Sequence, residues 1–316
     1  LANSLRTDRV AFRALAVDAP AVIQLRMWSR MTDDLQQTRV RLTNQCREQL
    51  RRYFPAMLEV LDDPGADWAQ ALLQAIPSPA AATRVREATV AKLLRTHRIR
   101  RLSAAAVLQA LRVPPVTVAP GTVEAATAAL RGLRAQLTVS TTELRKAHHE
   151  LDTRTDQLPA ASPPGGADAE PKGEGRGDEP SDATILRSLP GVGRIGLATL
   201  LAEAAPLLAV RDYHALRTLC GVAPVTRRSG KQCLVIMRRA CHRRLRQAVY
   251  HWARVAAQCD PHWAARYKAL RSRGHSHGRA CRGLADRLLK LACVMLRDRT
   301  CYDPTRLGTP VQGDAA

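Results

Sequence analysis

Apolar residues recur at helical spacing through Trp28, Met31, Leu35, Leu42, Cys46, Leu50, Tyr53 and Met57, with Arg26, Arg30, Arg39, Arg41, Arg47, Arg51 and Arg52 between them. That period predicts one long amphipathic helix with a core-facing stripe. Asp18-Ala19-Pro20 supplies its start, an acceptor side chain for the unpaired amides followed by a proline near the first helical position. A break is expected near Pro55 or at Asp62-Asp63-Pro64-Gly65. Residues 67–112 read as shorter helices, punctuated by Pro77-Ser78-Pro79 and ended by Pro114-Pro115. A basic knot, Arg95-Thr96-His97-Arg98-Ile99-Arg100-Arg101, falls between two of them and reads either as a solvated turn or as a phosphate contact.

A second long helix opens at Pro120-Gly121-Thr122. Leu130, Leu137, Leu144, Leu151 and Leu158 then recur every seven residues, with Leu133 and Ala147 on the adjacent seam. Heptad leucines sustained this far predict a coiled coil. Its partner is either the helix over 20–61 or a second copy of the chain, and a homo-oligomer through the coiled coil is expected. From 159 to 182 the text changes to Pro163-Pro164-Gly165-Gly166 and Glu170-Pro171-Lys172-Gly173-Glu174-Gly175, too polar and too rich in Gly and Pro to bury a core. The expected organisation is a helical and coiled-coil region (1–158), a disordered linker (159–182), a basic helical domain (183–303) and a tail (304–316). The fold class is mainly α.

Charge changes the picture. The chain carries 49 Lys and Arg against 28 Asp and Glu, a net charge of +21. Residues 183–316 hold 24 basic against 7 acidic side chains, so the last part of the chain carries most of the excess, and no Asp or Glu occurs from Tyr213 to Cys259. Such an imbalance concerns partners rather than fold, and nucleic acid is the partner it points to. No apolar run is long enough for a membrane span and no signal peptide is present, so a cytoplasmic protein with free thiols is expected. None of the eight cysteines forms a Cys-x-x-Cys pair, and several sit at helical core spacing; they read as small buried hydrophobes. No metal ligand set is expected: His275 and His277 lie two apart without a Cys or carboxylate at ligand spacing.

Candidate chemistry lies within 182–246. Leu189-Pro190-Gly191-Val192-Gly193 between apolar helical stretches predicts a helix-hairpin-helix-like motif. Its glycines allow a tight turn, and the helix that follows presents unpaired amides and the positive end of its dipole to a phosphate, with Arg194 at the mouth. The alternative is a plain packing corner. Gly221 is expected to end a helix, Thr226–Lys231 to form a projecting loop, and Cys233-Leu234-Val235-Ile236-Met237 to form a strand or buried extended segment. Ser229 lies in that loop among Arg227, Arg228 and Lys231. Most Ser-Gly pairs are only turns, but three cations around a hydroxyl can hold a phosphodiester and stabilise its pentavalent transition state. Arg238, Arg239, Arg243, Arg244 and Arg246 are expected on one helix, with a basic face toward Ser229. Arg271 to Arg279 reads as a flexible phosphate-binding loop.

Leu189-Pro190-Gly191-Val192-Gly193, Gly221-Val222-Ala223-Pro224 and Arg228-Ser229-Gly230-Lys231, followed by the Arg-rich stretch, resemble the C-terminal domain of insertion-sequence transposases of the IS110/IS116/IS902 type. Residues Pro20–Arg26 through Arg51–Pro55 are similar to the middle of such proteins. The resemblance implies DNA transposition by phosphoryl transfer, with Ser229 matching the family's nucleophilic serine. It also implies DNA as partner, a guide RNA in some members, and dimerisation through a coiled coil. Mg²⁺ is the implied cofactor, held by a DEDD carboxylate set on a RuvC-like domain. The Asp-x-x-Asp-Ala signature of that domain is absent from this sequence, and Leu1-Ala2-Asn3-Ser4-Leu5-Arg6 reads like text from inside a longer protein. The expectation is therefore a chain that begins just past the signature and is inactive alone; the alternative is a non-catalytic DNA- or RNA-binding remnant.

Overall fold

The computed structural model describes residues 6–7, 17–158, 180–230 and 232–306. Lys231, residues 159–179 of the expected linker and residues 307–316 of the expected tail lie outside the described residues. The protein is mainly α, with a single two-stranded sheet among the described residues. It divides into two compact units, residues 30–148 and the remainder.

The long first helix, α1 (Pro20–Tyr53), ends where Phe54 precedes Pro55, because a residue before proline is driven out of the helical region. The chain resumes as α2 (Ala56–Val60), α3 (Asp67–Ala75), α4 (Pro79–Arg84), α5 (Glu87–Thr96) and α6 (Ala104–Leu111). Ser78 and Ser103 cap α4 and α6 by accepting from Ala81 N and Ala106 N. The second long helix, α7, runs Thr122–Asp156. In the 30–148 unit, Cys46, Leu50 and Tyr53 of α1 share one core with Met57, Leu72, Ile76, Leu111 and Leu130. Tyr53 donates its hydroxyl to Pro77 O at 2.7 Å. The basic knot closes on its own unit: Arg101 meets Asp62 at 2.7 Å and stacks over the Trp68 ring.

One sequence expectation needs correction here. Met31 is 41% exposed, and the buried positions nearby are Ser29 and Thr32, both 0% exposed. Small side chains let another helix approach closely, and Ser29 Oγ lies 3.3 Å from Thr199 Oγ1. The heptad leucines meet the intrachain option that the sequence left open. Leu130, Leu137, Leu144 and Leu151 are all buried without a second molecule.

The other unit contains α8 (Asp182–Arg187), α9 (Arg194–Glu203), α10 (Ala205–Ala209), α11 (Tyr213–Leu219), β1 (Val225–Ser229), β2 (Gln232–Ile236), α12 (Arg243–Cys259), α13 (Pro261–Ser272) and α14 (His277–Asp298). Its core joins Leu186, Leu197, Leu216, Leu245, Val249, Trp252, Leu284 and Leu288 with Leu25 of α1 and Leu151 of α7. Trp28 packs at its edge, where Arg154 lies over the ring and also reaches Gln24 at 2.7 Å. Asp182 is buried at the start of α8, clamped by Arg211 from both guanidinium nitrogens (2.8 and 2.9 Å) and by Arg299 at 2.5 Å. A buried carboxylate is tolerated only when its lone pairs are met in this way.

Candidate nucleic-acid interface

The Leu189–Gly193 turn joins α8 to α9. Gly191 adopts φ +77, and a Cβ placed there would stand 2.4 Å from Ala256 N. Trp252 donates its indole N–H to Pro190 O at 2.9 Å, so the front of the turn is pinned onto α12. Gly193 precedes α9 with nothing within 4 Å of its Cβ position. Arg194, expected at the mouth of a phosphate cradle, is paired with Asp152 at 2.9 Å.

Helix α11 ends at Gly221 (φ +69), where Val222 N bonds back to Arg217 O at 3.0 Å. The chain then enters the hairpin. Ser229 is not in a loop: Thr226 to Ser229 are strand residues, and the register pairs Val225 with Ile236, Arg227 with Leu234 and Ser229 with Gln232. The strand escapes a hydropathy reading because Thr226-Arg227-Arg228-Ser229 has no apolar alternation; the backbone ladder and the Gly230 turn (φ +57) form it instead. β2 is also not buried: Leu234 is 58% and Val235 65% exposed. Side chains alternate across a strand, so Ser229, Arg227 and Leu234 share the face whose base pair, Val225 and Ile236, is half-buried. Ser229 lies four residues beyond Val225, about 13 Å along the strand. Among the described residues its hydroxyl has no hydrogen-bond partner, and Arg228 projects from the opposite face.

Arg238 and Arg239 are not helical. The stretch after β2 is irregular until α12 starts at Arg243, with His242 at the capping position and His242 N bonded to Leu219 O at 2.8 Å. The arginines of α12 then diverge. Arg244 turns inward, donating to Ser29 O at 2.9 Å and lying 3.7 Å from Glu203. Arg243 and Arg246 line a cavity of about 360 Å³ with Tyr250 and Arg282. A second cavity, of about 350 Å³, lies under the hairpin base and is lined by Val235, Ile236, Arg217, Arg279 and Asp286. The two adjoin, sharing Gly221, Val222, Met237 and Arg282 in their walls, and together are termed the furrow. Its one carboxylate among the described residues, Asp286, is taken by Arg217 (2.8 and 2.7 Å) and by the Tyr213 hydroxyl at 2.9 Å. Burial, then the bond to Asp286, pushes the Tyr213 hydroxyl up to about 12. The expected loop from Arg271 to Arg279 reduces to a short turn, since α13 runs to Ser272 and Ser276 caps α14.

Residues 183–268 match the model of the transposase IS116/IS110/IS902 family, and residues 1–55 match a DEDD transposase model of IS110 elements. Over 325 residues the chain is 30% identical to the mini-circle transposase for IS117 of Streptomyces coelicolor, covering 100% of this chain and 73% of that protein. The chain belongs to the IS116/IS110/IS902 transposase family. Within this family it is also 57% identical over 104 residues to a transposase, y4uE, of Sinorhizobium fredii, a match covering 33% of this chain and 29% of that protein. It is 25% identical over 310 residues to a 43.6 kDa protein of insertion element IS110 from Streptomyces coelicolor, covering 96% and 70%.

The DEDD match implies a divalent metal in this family. The described residues do not fit one: no group of three or more His, Cys, Asp or Glu comes together among them. The two most enclosed carboxylates of this unit are engaged by arginines, Asp182 by Arg211 and Arg299, Glu203 by Arg26 and Arg244, with His242 Nε2 3.6 Å from Glu203. No described helix is long and apolar enough to cross a membrane. Of the expected site residues, Arg243 and Arg246 line the furrow, Ser229 and Arg227 share one hairpin face, Gly191 packs against Ala256, and Arg194 and Arg244 stand in ion pairs. Arg217, Tyr250, Arg282 and Asp286 were not singled out in the sequence. The signal for Arg282 was its spacing from Arg279, one helical turn apart on α14.

Proposed function

We propose that this chain acts in DNA transposition and that Ser229 is its nucleophile. The Ser229 hydroxyl gives up its proton as its oxygen attacks a DNA phosphate, an Oγ–P bond forms, the bond to one sugar oxygen breaks, and the departing oxygen takes up a proton and leaves as a hydroxyl. The observation that carries this reading is the presentation of Ser229 near the tip of an exposed, cationic hairpin, with its hydroxyl free of partners among the described residues. The Ser229 side chain is exposed and faces outward from the strand.

A serine hydroxyl needs activation, and no described carboxylate is placed to provide it. Activating groups, and the carboxylates for Mg²⁺ that family resemblance implies, therefore come from residues other than those described, in this polypeptide or another. A helix-hairpin-helix-like role for Gly193, phosphate contacts by Arg227, Arg228, Lys231, Arg238 and Arg239, self-association through the heptad helix and use of a guide RNA belong to the same reading. The competing reading, a nucleic-acid-binding module without catalysis, is supported by the same lack of an activating group. A denaturing gel of end-labelled DNA carrying the element's end, run with and without a family DEDD domain and Mg²⁺, separates the two. A covalent band that requires Ser229 supports transposition, and its absence under both conditions supports the binding module.

A further inference from the structure

Several arginines of this unit are neutralised where they stand: Arg187 by Asp156, Arg194 by Asp152, Arg211 and Arg299 by Asp182, Arg217 by Asp286. Arg243, Arg246, Arg279 and Arg282 are set apart by where they meet. They come from α12 and α14, converge on the furrow, and make no ion pair among the described residues; Arg282 has only the Met237 sulfur, at 3.3 Å. Like charges gathered without an acid repel one another, so their arrangement is matched by a polyanion rather than by the protein. Asp286 would spoil such a seat, but Arg217 and Tyr213 already occupy it.

We infer that this furrow is a seat for the backbone of duplex DNA, with Arg279 and Arg282 as phosphate contacts. The inference rests on the reading of the chain as a DNA transposase and adds a site to it. Geometry links the two. Ile236 lines the furrow and shares a strand face with Leu234, Arg227 and Ser229. A backbone that leaves the furrow along that face reaches the proposed nucleophile about 13 Å away. At 3.4 Å of rise per step this is about four nucleotides of one strand.

The test is the salt dependence of binding of the full chain to a labelled non-specific DNA duplex. Each phosphate contact contributes about 0.9 to the slope of log affinity against log salt. The double variant Arg279→Ala/Arg282→Ala should lower the slope by about two, and Arg279→Lys/Arg282→Lys should keep it. Arg52→Ala/Arg84→Ala removes the same charge from exposed positions elsewhere and should leave it unchanged. An unchanged slope in the furrow alanine variant overturns the inference, as does an equal loss in the control pair. A slope change seen only with an RNA duplex overturns the assignment to DNA. Binding is read without chemistry, so a failure of covalent attack at Ser229 leaves this result standing, and the reverse also holds.

Discussion

Gly191 is seated on the backbone of Ala256: a Cβ on the glycine would stand 2.4 Å from Ala256 N and 2.8 Å from Ala256 Cα. The turn between α8 and α9 is thus fixed first by packing onto α12. Gly191→Ala combines that overlap with a positive φ and should cost on the order of 4 kcal/mol or prevent folding. Gly193→Ala meets open space at φ −84 and should change stability by less than about 1 kcal/mol. Thermal melts of the two variants check this. If Gly193→Ala melts like the parent yet binds DNA more weakly, the turn contacts phosphate through Gly193.

Three neighbouring arginines of α12 should behave differently. Arg243→Ala/Arg246→Ala should lower the salt slope of DNA binding by about two with little change in melting temperature. Arg244→Ala should leave the slope alone and lower stability, because it strips Glu203, whose side chain is 4% exposed, of one of its cations and Ser29 O of a donor. Equal slopes for both variants would contradict the placement of Arg243 and Arg246 in the furrow.

The heptad leucines give a stability test that self-association does not share. Leu151 sits in the core around Leu25 and Trp252, so Leu151→Asp should cost on the order of 3 kcal/mol at any protein concentration. A loss that disappears at high protein concentration would mean that a second copy, not the chain itself, covers the seam.

Alkaline pH should destabilise the fold. Tyr213 and Tyr302 are both pushed up to about 12 by burial and by their bonds to Asp286 and Asp260. A phenol ionises more easily in the unfolded chain, near 10. Its contribution is therefore full below pH 10 and is lost as pH rises toward 12. Denaturant midpoints measured across that window should fall, and Tyr213→Phe should start lower but fall less steeply. A steeper fall in the variant would contradict the Tyr213–Asp286 contact.

Much of the helical frame is legible in the sequence, because Asp18-Ala19-Pro20, the heptad leucines and Gly221 act through local rules. The hairpin is not, since Thr226-Arg227-Arg228-Ser229 carries no hydropathy alternation and its partner strand leaves Leu234 and Val235 in the open. The furrow is legible only in part. The stretch without acid ends at Asp260, whereas the fold brings Arg279, Arg282 and Asp286 of α14 alongside α12. Nor can spacing alone separate Arg244 from Arg243 and Arg246. What turns it inward is Glu203, 41 positions away in the chain.

Mass spectrometry of the protein after incubation with element-end DNA, a family DEDD domain and Mg²⁺ tests the assignment of Ser229 most directly. Nuclease and protease digestion should leave a nucleotide esterified to the peptide that contains Ser229, and Ser229→Ala should leave none. A DNA-linked peptide from any other residue, or an adduct that survives Ser229→Ala, would contradict it.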